Sequence, residues 1–109
     1  MLSQNIQKVI PRVIAYLSTQ PVVRKAWIFG SCAKGEENSK SDVDFLVDYD
    51  RTHRLSMLTL GGIISNLENL FGRDIDLVEN GYLIPEAQQS ANREKVLIYE
   101  REDTRPAKA

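Results

Sequence analysis

The stretch FGSCAKGEENSKSDVDFLV, residues 29–47, places a glycine and a serine before ten mostly polar residues and then two aspartates spaced one apart. These aspartates, Asp42 and Asp44, open an apolar run that is typical of a strand, although aspartate is depleted in strands. Residues two apart on a strand project to the same side, about 6.6 Å apart along the chain. Two like charges about 4 Å apart near a protein surface repel by roughly 4 kcal/mol at an effective dielectric constant of 20. The placement therefore indicates a compensating partner, and a divalent cation would reverse the sign of the interaction.

The segments around this stretch predict alternating helices and strands. Apolar residues recur with helical spacing from Ile6 to Leu17, and Pro11 within them is expected to kink the helix or divide it into two pieces. Two further helices are predicted over 60–71, ended by Gly72, and over 86–92. Strands are predicted over RKAWIF (24–29), DVDFLVDY (42–49), DIDLVE (74–79) and KVLIYE (95–100). The order α-β-β-α-β-α-β predicts an α/β (α+β) domain, with helices packed on one small mixed sheet.

Length and composition indicate one soluble domain. The 109 residues are 42% hydrophobic and 27% charged, which favours a folded chain over a disordered one. Residues 1–100 are predicted to form this domain, and the polar residues 101–109 a flexible tail. Fourteen Lys and Arg against fifteen Asp and Glu argue against nucleic acid as a direct partner. No apolar run approaches the roughly 18 residues of a membrane span, and the single cysteine fits a reducing cytoplasm, the expected location.

The glycine, the serine and the aspartates together predict a site for a metal–nucleotide complex. A third carboxylate, Asp76, joins the first two if the third strand pairs beside the second. Magnesium takes one or two carboxylates and fills its octahedron with water and substrate phosphates. Gly30 permits close approach of the backbone to a phosphate, and Ser31 presents an N–H and a hydroxyl to the anion if it starts a helical turn. Metal and phosphate binding together suit phosphoryl or nucleotidyl transfer, in which two metal ions offset the developing charge.

Each half of the pattern alone has a more ordinary interpretation. Gly-Ser after a strand is usually a turn with a helix cap, and Asp-x-Asp is usually a solvated turn. The joint pattern is expected by chance in only about one chain of this length per thousand. Asp74 competes with Asp76 for the third acidic role, although its position beside Arg73 also suits an exposed ion pair. His53 is interpreted as a solvated loop residue and Cys32 as a packing residue.

Gly30, Ser31, Asp42, Asp44 and Asp76 resemble the motif of the minimal nucleotidyltransferases (MNT), the small branch of the superfamily that includes DNA polymerase beta. The resemblance covers most of the chain and implies the nucleotidyltransferase fold. It implies that Asp42 and Asp44 hold magnesium, and that Asp76 completes the catalytic and metal-binding cluster and helps deprotonate the acceptor hydroxyl. Gly30 and Ser31 would bind the triphosphate of ATP, with two Mg²⁺ ions as cofactors.

One basic residue departs from the family pattern. Family members often have arginine where Lys34 stands, and lysine keeps the charge but loses the bidentate fork. Lys34 and Lys40 are therefore open to two interpretations, as phosphate contacts or as solvated loop charges.

The resemblance also implies a protein partner. Family members of this size are commonly encoded beside a HEPN-domain ribonuclease toxin, and some transfer AMP from ATP to a tyrosine of that toxin. The implied function is a magnesium-dependent protein adenylyltransferase that acts as an antitoxin, in a hetero-oligomer with a HEPN toxin that supplies the acceptor surface. The alternative is a non-catalytic antitoxin that neutralises its partner by steric binding. Three clustered carboxylates favour the enzyme, because a pure binder gains nothing from them.

Overall fold

The computed structural model describes residues 2–36, 38 and 42–101. Four helices and four strands follow one another in the order α1 (Gln4–Leu17), β1 (Val23–Phe29), α2 (Ser31–Lys34), β2 (Val43–Tyr49), α3 (Met57–Phe71), β3 (Ile75–Glu79), α4 (Pro85–Glu94) and β4 (Val96–Glu100). The predicted α/β architecture with one small mixed sheet is confirmed. The short α2 is the helical turn that the phosphate-binding interpretation of Ser31 requires.

The strands form one sheet in the order β3-β2-β1-β4. The β2–β3 pair is parallel, whereas β1 is antiparallel to both β2 and β4. The end of β1 therefore lies beside the start of β2, and β3 starts next to β2 at the same edge. We call this end of the strands, where β1 finishes and β2 and β3 begin, the acidic end of the sheet.

One face of the sheet, the apolar face, carries the hydrophobic core beneath α1 and α3. Phe45 is fully buried on this face, and its ring meets the ring of Phe71 edge-on with centroids 5.9 Å apart. The core residues of these elements are Ile6, Val13, Leu17, Val43, Phe45, Val47, Ile63 and Leu67. This burial follows the predicted periodicities, because β2 points Val43, Phe45 and Val47 to one side and both helices turn an apolar stripe towards them.

The helix ends are defined by local capping, with one departure from expectation at Pro11. Ser3 accepts a hydrogen bond from the Ile6 N–H at 3.3 Å, which starts α1. Gly72, with φ 66°, ends α3 as predicted. Of the two outcomes expected at Pro11, a kink stays a prediction, and the division of the first helix is wrong, because α1 runs unbroken through it. Its apolar stripe is buried on both sides of Pro11, and this packing outweighs the roughly 3 kcal/mol cost of an internal proline.

The opposite face, which we call the open face, is the one to which Asp44, Leu46 and Asp48 of β2 project. The β2–α3–β3 and β3–α4–β4 connections cross the sheet in opposite directions, so right-handed crossovers place α4 on the face opposite α3. In agreement, Ala91 of α4 and Leu46 are buried but do not belong to the main core cluster. The apolar face therefore carries the main core, whereas the open face carries aspartates and is partly covered by α4.

The chain after β4 remains attached at Arg101. The Arg101 N–H donates to the Arg24 carbonyl at 2.9 Å, and its guanidinium donates to the Pro21 carbonyl at 2.7 Å and to Asp50 at 2.8 Å. These bonds join Arg101, the first residue of the predicted tail, to Arg24, Pro21 and Asp50. The remaining tail, 102–109, lies outside the described residues, and its flexibility stays a prediction. No helix within the described part of the chain is long and apolar enough to cross a membrane.

Candidate active site

The structure brings two of the predicted carboxylates side by side at the acidic end. Asp44 of β2 pairs in register with Asp76 of β3, and on its other side it lies opposite Phe29 of β1. The condition set for Asp76, that β3 pairs beside β2, is met. Asp74 is exposed and precedes β3, where its carbonyl accepts a hydrogen bond from the Val43 N–H at 3.0 Å. Asp76, rather than Asp74, is therefore the neighbour of Asp44.

Asp42 lies directly before β2, which begins at Val43 and not at Asp42 as predicted. Its side chain is exposed, as is that of Asp76, whereas Asp44 is partly buried between them. Burial raises the pKa of the Asp44 carboxyl above its ordinary value, and the negative charges of Asp76 and Asp42 raise it further. Asp76 and Asp42 are thus close enough to Asp44 to repel its charge, and this repulsion favours a proton or a cation beside Asp44.

Gly30 forms the wall of the site against Asp44. Its backbone has φ 73° and ψ −150°, a region that side-chain-bearing residues almost never adopt. A Cβ atom at this position would lie 2.5 Å from Asp44 Oδ2. Both the backbone conformation and the neighbouring carboxylate therefore require glycine, and the backbone of the turn lies directly beside the acidic cluster.

Helix α2 begins at Ser31, immediately after this turn. The N–H groups of Ala33 and Lys34 donate to the Gly30 carbonyl at 3.1 and 3.3 Å, and Gly35, with φ 73°, ends the helix. Ser31 is thereby held one residue from the glycine that contacts Asp44. The geometry puts the predicted phosphate-binding pair and the predicted metal-binding residues in one place.

Cys32 connects the turn to the aspartates. It is 1% exposed, and its thiol lies 3.5 Å from the Asp42 carbonyl, to which it donates. The contact joins α2 to the residue that precedes β2. This burial agrees with the interpretation of Cys32 as a packing residue, because a buried thiol in an apolar setting is inert.

The carboxylates fit a magnesium ion that shares its ligands with a triphosphate. Within 2–36, 38 and 42–101, no three Asp, Glu, His or Cys side chains are arranged so that they could hold a metal ion by themselves. Magnesium does not need such a cage, since it takes one or two carboxylates and completes its octahedron with water and phosphate oxygens. Adjacent Asp44 and Asp76, with Asp42 beside them, supply that donor set. The site suits a metal that arrives with a nucleotide.

Two other candidates lie elsewhere or make different contacts. His53 is exposed in the loop after β2, at the end of the sheet opposite the acidic end. Its Nε2 lies 3.9 Å from Asp50. Lys34 lies 3.8 Å from Glu36 and 3.7 Å from Glu94 of α4, so it is neither simply solvated nor bonded to the cluster. Lys40 is outside the described residues.

The sequence interpretation missed two acidic residues near the open face. Asp48 lies on the same face of β2 as Asp44 and accepts a hydrogen bond from Asn80 at 3.2 Å. Strand alternation could have identified it, since it follows Asp44 and Leu46 at the same spacing. Glu94, the partner of Lys34, carried no sequence signal, because an ion pair between distant segments depends on how the elements pack.

Comparison with known proteins shows the family of the chain. The family model described as Polymerase beta, Nucleotidyltransferase matches residues 12–104. The chain is 36% identical to the protein adenylyltransferase MntA of Thermococcus cleftensis over 76 residues, which are 70% of this chain and 75% of that protein. It is also similar to a solved chain provisionally named a minimal nucleotidyltransferase, with a TM-score of 0.70 and 27% identity, over 88% of this chain and 95% of that one.

A more distant structural likeness supports the fold alone. The MNT antitoxin in a solved complex with a tri-AMPylated HEPN toxin of Shewanella oneidensis gives a TM-score of 0.62 at 17% identity. That match covers 87% of this chain and 72% of the other. The family model spans most of the sequence, and the chain belongs to the polymerase beta nucleotidyltransferase family.

Proposed function

We propose that the protein is a magnesium-dependent adenylyltransferase that transfers AMP from ATP to a tyrosine hydroxyl of a partner HEPN toxin, and that it thereby acts as the antitoxin. The observation that carries this proposal is the contact of Gly30 with Asp44 beside Asp76, which joins a phosphate-binding turn to an acidic cluster. Its support is the relative named protein adenylyltransferase MntA and the solved HEPN toxin that carries three AMP groups in complex with an MNT antitoxin.

The residues have separate roles in this reaction. Gly30 and Ser31 bind the triphosphate, and Asp42 and Asp44 hold magnesium, with Asp76 completing the set. When bound, magnesium supplies positive charge that offsets the charge of the triphosphate and of the departing pyrophosphate. Asp76 accepts the proton of the tyrosine hydroxyl as its oxygen forms a bond to the α-phosphorus and the bond to pyrophosphate breaks. The products are the AMP-tyrosine ester and pyrophosphate.

The exposure of the cluster suits a protein acceptor. Asp42 and Asp76 are both exposed, so a tyrosine side chain from another protein can reach them from solvent. Holding the hydroxyl near the α-phosphate, in line with the leaving group, supplies several kcal/mol of the barrier. We therefore expect little ATP turnover by the isolated chain and efficient transfer once the partner is bound.

The test is intact-mass spectrometry of the HEPN protein encoded nearby, after incubation with this protein, magnesium and ATP. The wild type should add AMP to the partner, and Asp76→Asn should add none while it still binds the partner. Asp74→Asn is the matched control, because Asp74 is an exposed aspartate two residues away that lies before β3. It should transfer AMP like the wild type.

A different outcome would identify the alternative function. If wild type and Asp76→Asn both neutralise the toxin and neither changes its mass, the protein is a steric antitoxin and the proposed catalysis is wrong. If Asp74→Asn, and not Asp76→Asn, stops transfer, the assignment of the third carboxylate is wrong.

A further inference from the structure

Helix α4 is joined to the rest of the molecule chiefly by polar contacts. Ala91 is its one buried residue. Near its start, the Gln88 side chain accepts from the Gly81 N–H at 2.9 Å and donates to Asn80 at 3.1 Å. Asn80 in turn donates to Asp48 of β2. These bonds join α4 to β2 and to the loop after β3 on the open face.

The other end of α4 reaches two elements that border the active site. Lys95, directly after the helix, lies over the Trp27 ring of β1 with its ammonium 4.4 Å from the centroid, and it also donates to Asn92 at 3.1 Å. Glu94, the last residue of the helix, lies 3.7 Å from the Lys34 ammonium. Through these contacts α4 ends against the same short helix that begins at the phosphate-binding turn.

The contact between Glu94 and Lys34 is one of charge rather than of hydrogen bonding. The Lys34 ammonium is 3.8 Å from the Glu36 carboxylate and 3.7 Å from that of Glu94, which is beyond hydrogen-bond distance. No described residue accepts a hydrogen bond from it. Its three N–H donors are therefore available to another acceptor. Lys34 also follows Ser31 by three residues, so the two share one face of α2.

We propose that Glu94 is a positioning residue: from the end of α4 it holds the Lys34 ammonium beside the Gly30–Ser31 turn, where that ammonium meets the triphosphate. This inference rests on the proposed function and extends it to residues outside the acidic cluster. A free lysine side chain loses rotamer entropy when a ligand fixes it, and restraint by Glu94 reduces that loss on nucleotide binding. Glu94 contributes without itself contacting the nucleotide.

The test is the affinity of the full chain for the magnesium complex of AMP-PNP, measured by isothermal titration calorimetry. Glu94→Gln should weaken binding about two- to fivefold, the size expected from a partly exposed ion pair. Lys34→Met should weaken it further, and the double variant should be no weaker than Lys34→Met alone, since Glu94 acts only through Lys34.

The control is Glu100→Gln, because Glu100 forms a comparably exposed ion pair with Lys25, at 3.5 Å, away from the site. It should bind the nucleotide like the wild type. The fluorescence of Trp27, the single tryptophan, should be unchanged in Glu94→Gln, because Lys95 still holds α4 in place. A merely structural role for Glu94 would instead shift that emission and lower the melting temperature.

A charge swap separates positioning from simple pairing. Lys34→Glu combined with Glu94→Lys keeps an ion pair between the two positions and should keep the melting temperature of the wild type, but it should not recover the affinity, because a carboxylate then faces the triphosphate. Unchanged or tighter binding by Glu94→Gln, additive effects in the double variant, or recovery of affinity in the swap would overturn the inference. Failure of the wild type to bind the nucleotide would overturn the proposed function, and this inference with it.

Discussion

Adjacent residues of β2, Asp44 and Phe45, face opposite sides of the sheet and have opposite consequences for the protein. Phe45 is fully buried under α1 and α3, where it adds to the stability of the core. Asp44 lies on the open face, where burial and two neighbouring carboxylates oppose its ionisation. Burial on the apolar face thus stabilises the fold, whereas the repulsion between like charges on the open face destabilises it. Variants that affect one face and not the other test this division.

The largest expected effect is that of Asp44→Asn on activity. Loss of the carboxylate that we propose as a magnesium ligand should remove several kcal/mol of transition-state stabilisation, a decrease of roughly 1,000-fold in AMP transfer. The apo protein should remain as stable as the wild type or become more stable, because a repelling charge is removed. Magnesium with ATP should raise the melting temperature of the wild type but not that of the variant.

Phe45→Leu is the matched variant of the apolar face. It should lower the free energy of unfolding by about 1–2 kcal/mol, since it leaves unfilled volume in the core, and transfer by the folded fraction should be retained. Urea unfolding and the AMP-transfer rate, measured for Asp44→Asn and for Phe45→Leu, test this comparison. A stability loss in Asp44→Asn like that in Phe45→Leu would contradict the division between faces.

Gly30→Ala should have the second largest effect. The new Cβ meets Asp44 Oδ2 at 2.5 Å, and the backbone conformation disfavours a side chain, so we expect a loss of about 1–3 kcal/mol of stability. Activity should fall about 100-fold or more, since a 1 Å displacement of reacting groups has effects of that size. Calorimetric melting and intact-mass transfer assays measure the two effects.

Gly62→Ala is the control for that substitution. Gly62 lies in α3, and a Cβ there would meet nothing within 4 Å. Alanine should raise stability by about 0.5–1 kcal/mol with activity unchanged. Equal effects of the two substitutions would show that Gly30 has no special conformational role.

The pH dependence of stability should have opposite signs at Asp44 and Asp50, which lie at opposite ends of β2. The folded protein raises the pKa of Asp44, so ionised Asp44 destabilises at pH 7, and this cost disappears as the pH falls through that raised value. Hydrogen bonds from Thr52 and Arg101 lower the pKa of Asp50. Ionised Asp50 therefore stabilises above the unfolded value of about 3.9, and this contribution is lost at lower pH.

Urea unfolding at pH 7 and at lower pH measures these signs. Asp44→Asn should match or exceed the stability of the wild type at pH 7, whereas Asp50→Asn should be less stable. Both differences should shrink as the pH falls towards 3. Differences of the same sign at pH 7 would contradict the assigned electrostatic roles.

The smallest expected effect is that of Ser31→Ala. Loss of one hydroxyl donor to phosphate should weaken binding of magnesium and AMP-PNP by about 1 kcal/mol, roughly fivefold. The melting temperature should be unchanged, because the N-cap of α2 is Gly30 and no side-chain hydrogen bond caps the helix. Ser65→Ala, at an exposed position of α3, is the control in the same calorimetric titration. Unaltered binding by Ser31→Ala would contradict the proposed contact of the Ser31 hydroxyl with phosphate.

Sequence alone predicted the features that depend on neighbouring residues. The period of two in 42–49 identified which side chains of β2 enter the core, and Gly72 indicated the end of α3. The Gly-Ser and Asp-x-Asp spacing predicted that these residues lie together, as they do at the acidic end, and their role as a metal–nucleotide site stays a prediction. These predictions succeeded because strand alternation, helix periodicity and capping are properties of short segments.

Tertiary structure alone decided the features that join distant segments. The pairing of β3 beside β2 selects Asp76 over Asp74 as the neighbour of Asp44, and the close approach of β1 to β2 makes glycine necessary at Gly30. The contact of Glu94 with Lys34 depends on where α4 crosses the open face, and packing on both sides of Pro11 keeps α1 whole. Such contacts follow from strand order and from burial summed over several elements, and no local pattern encodes either.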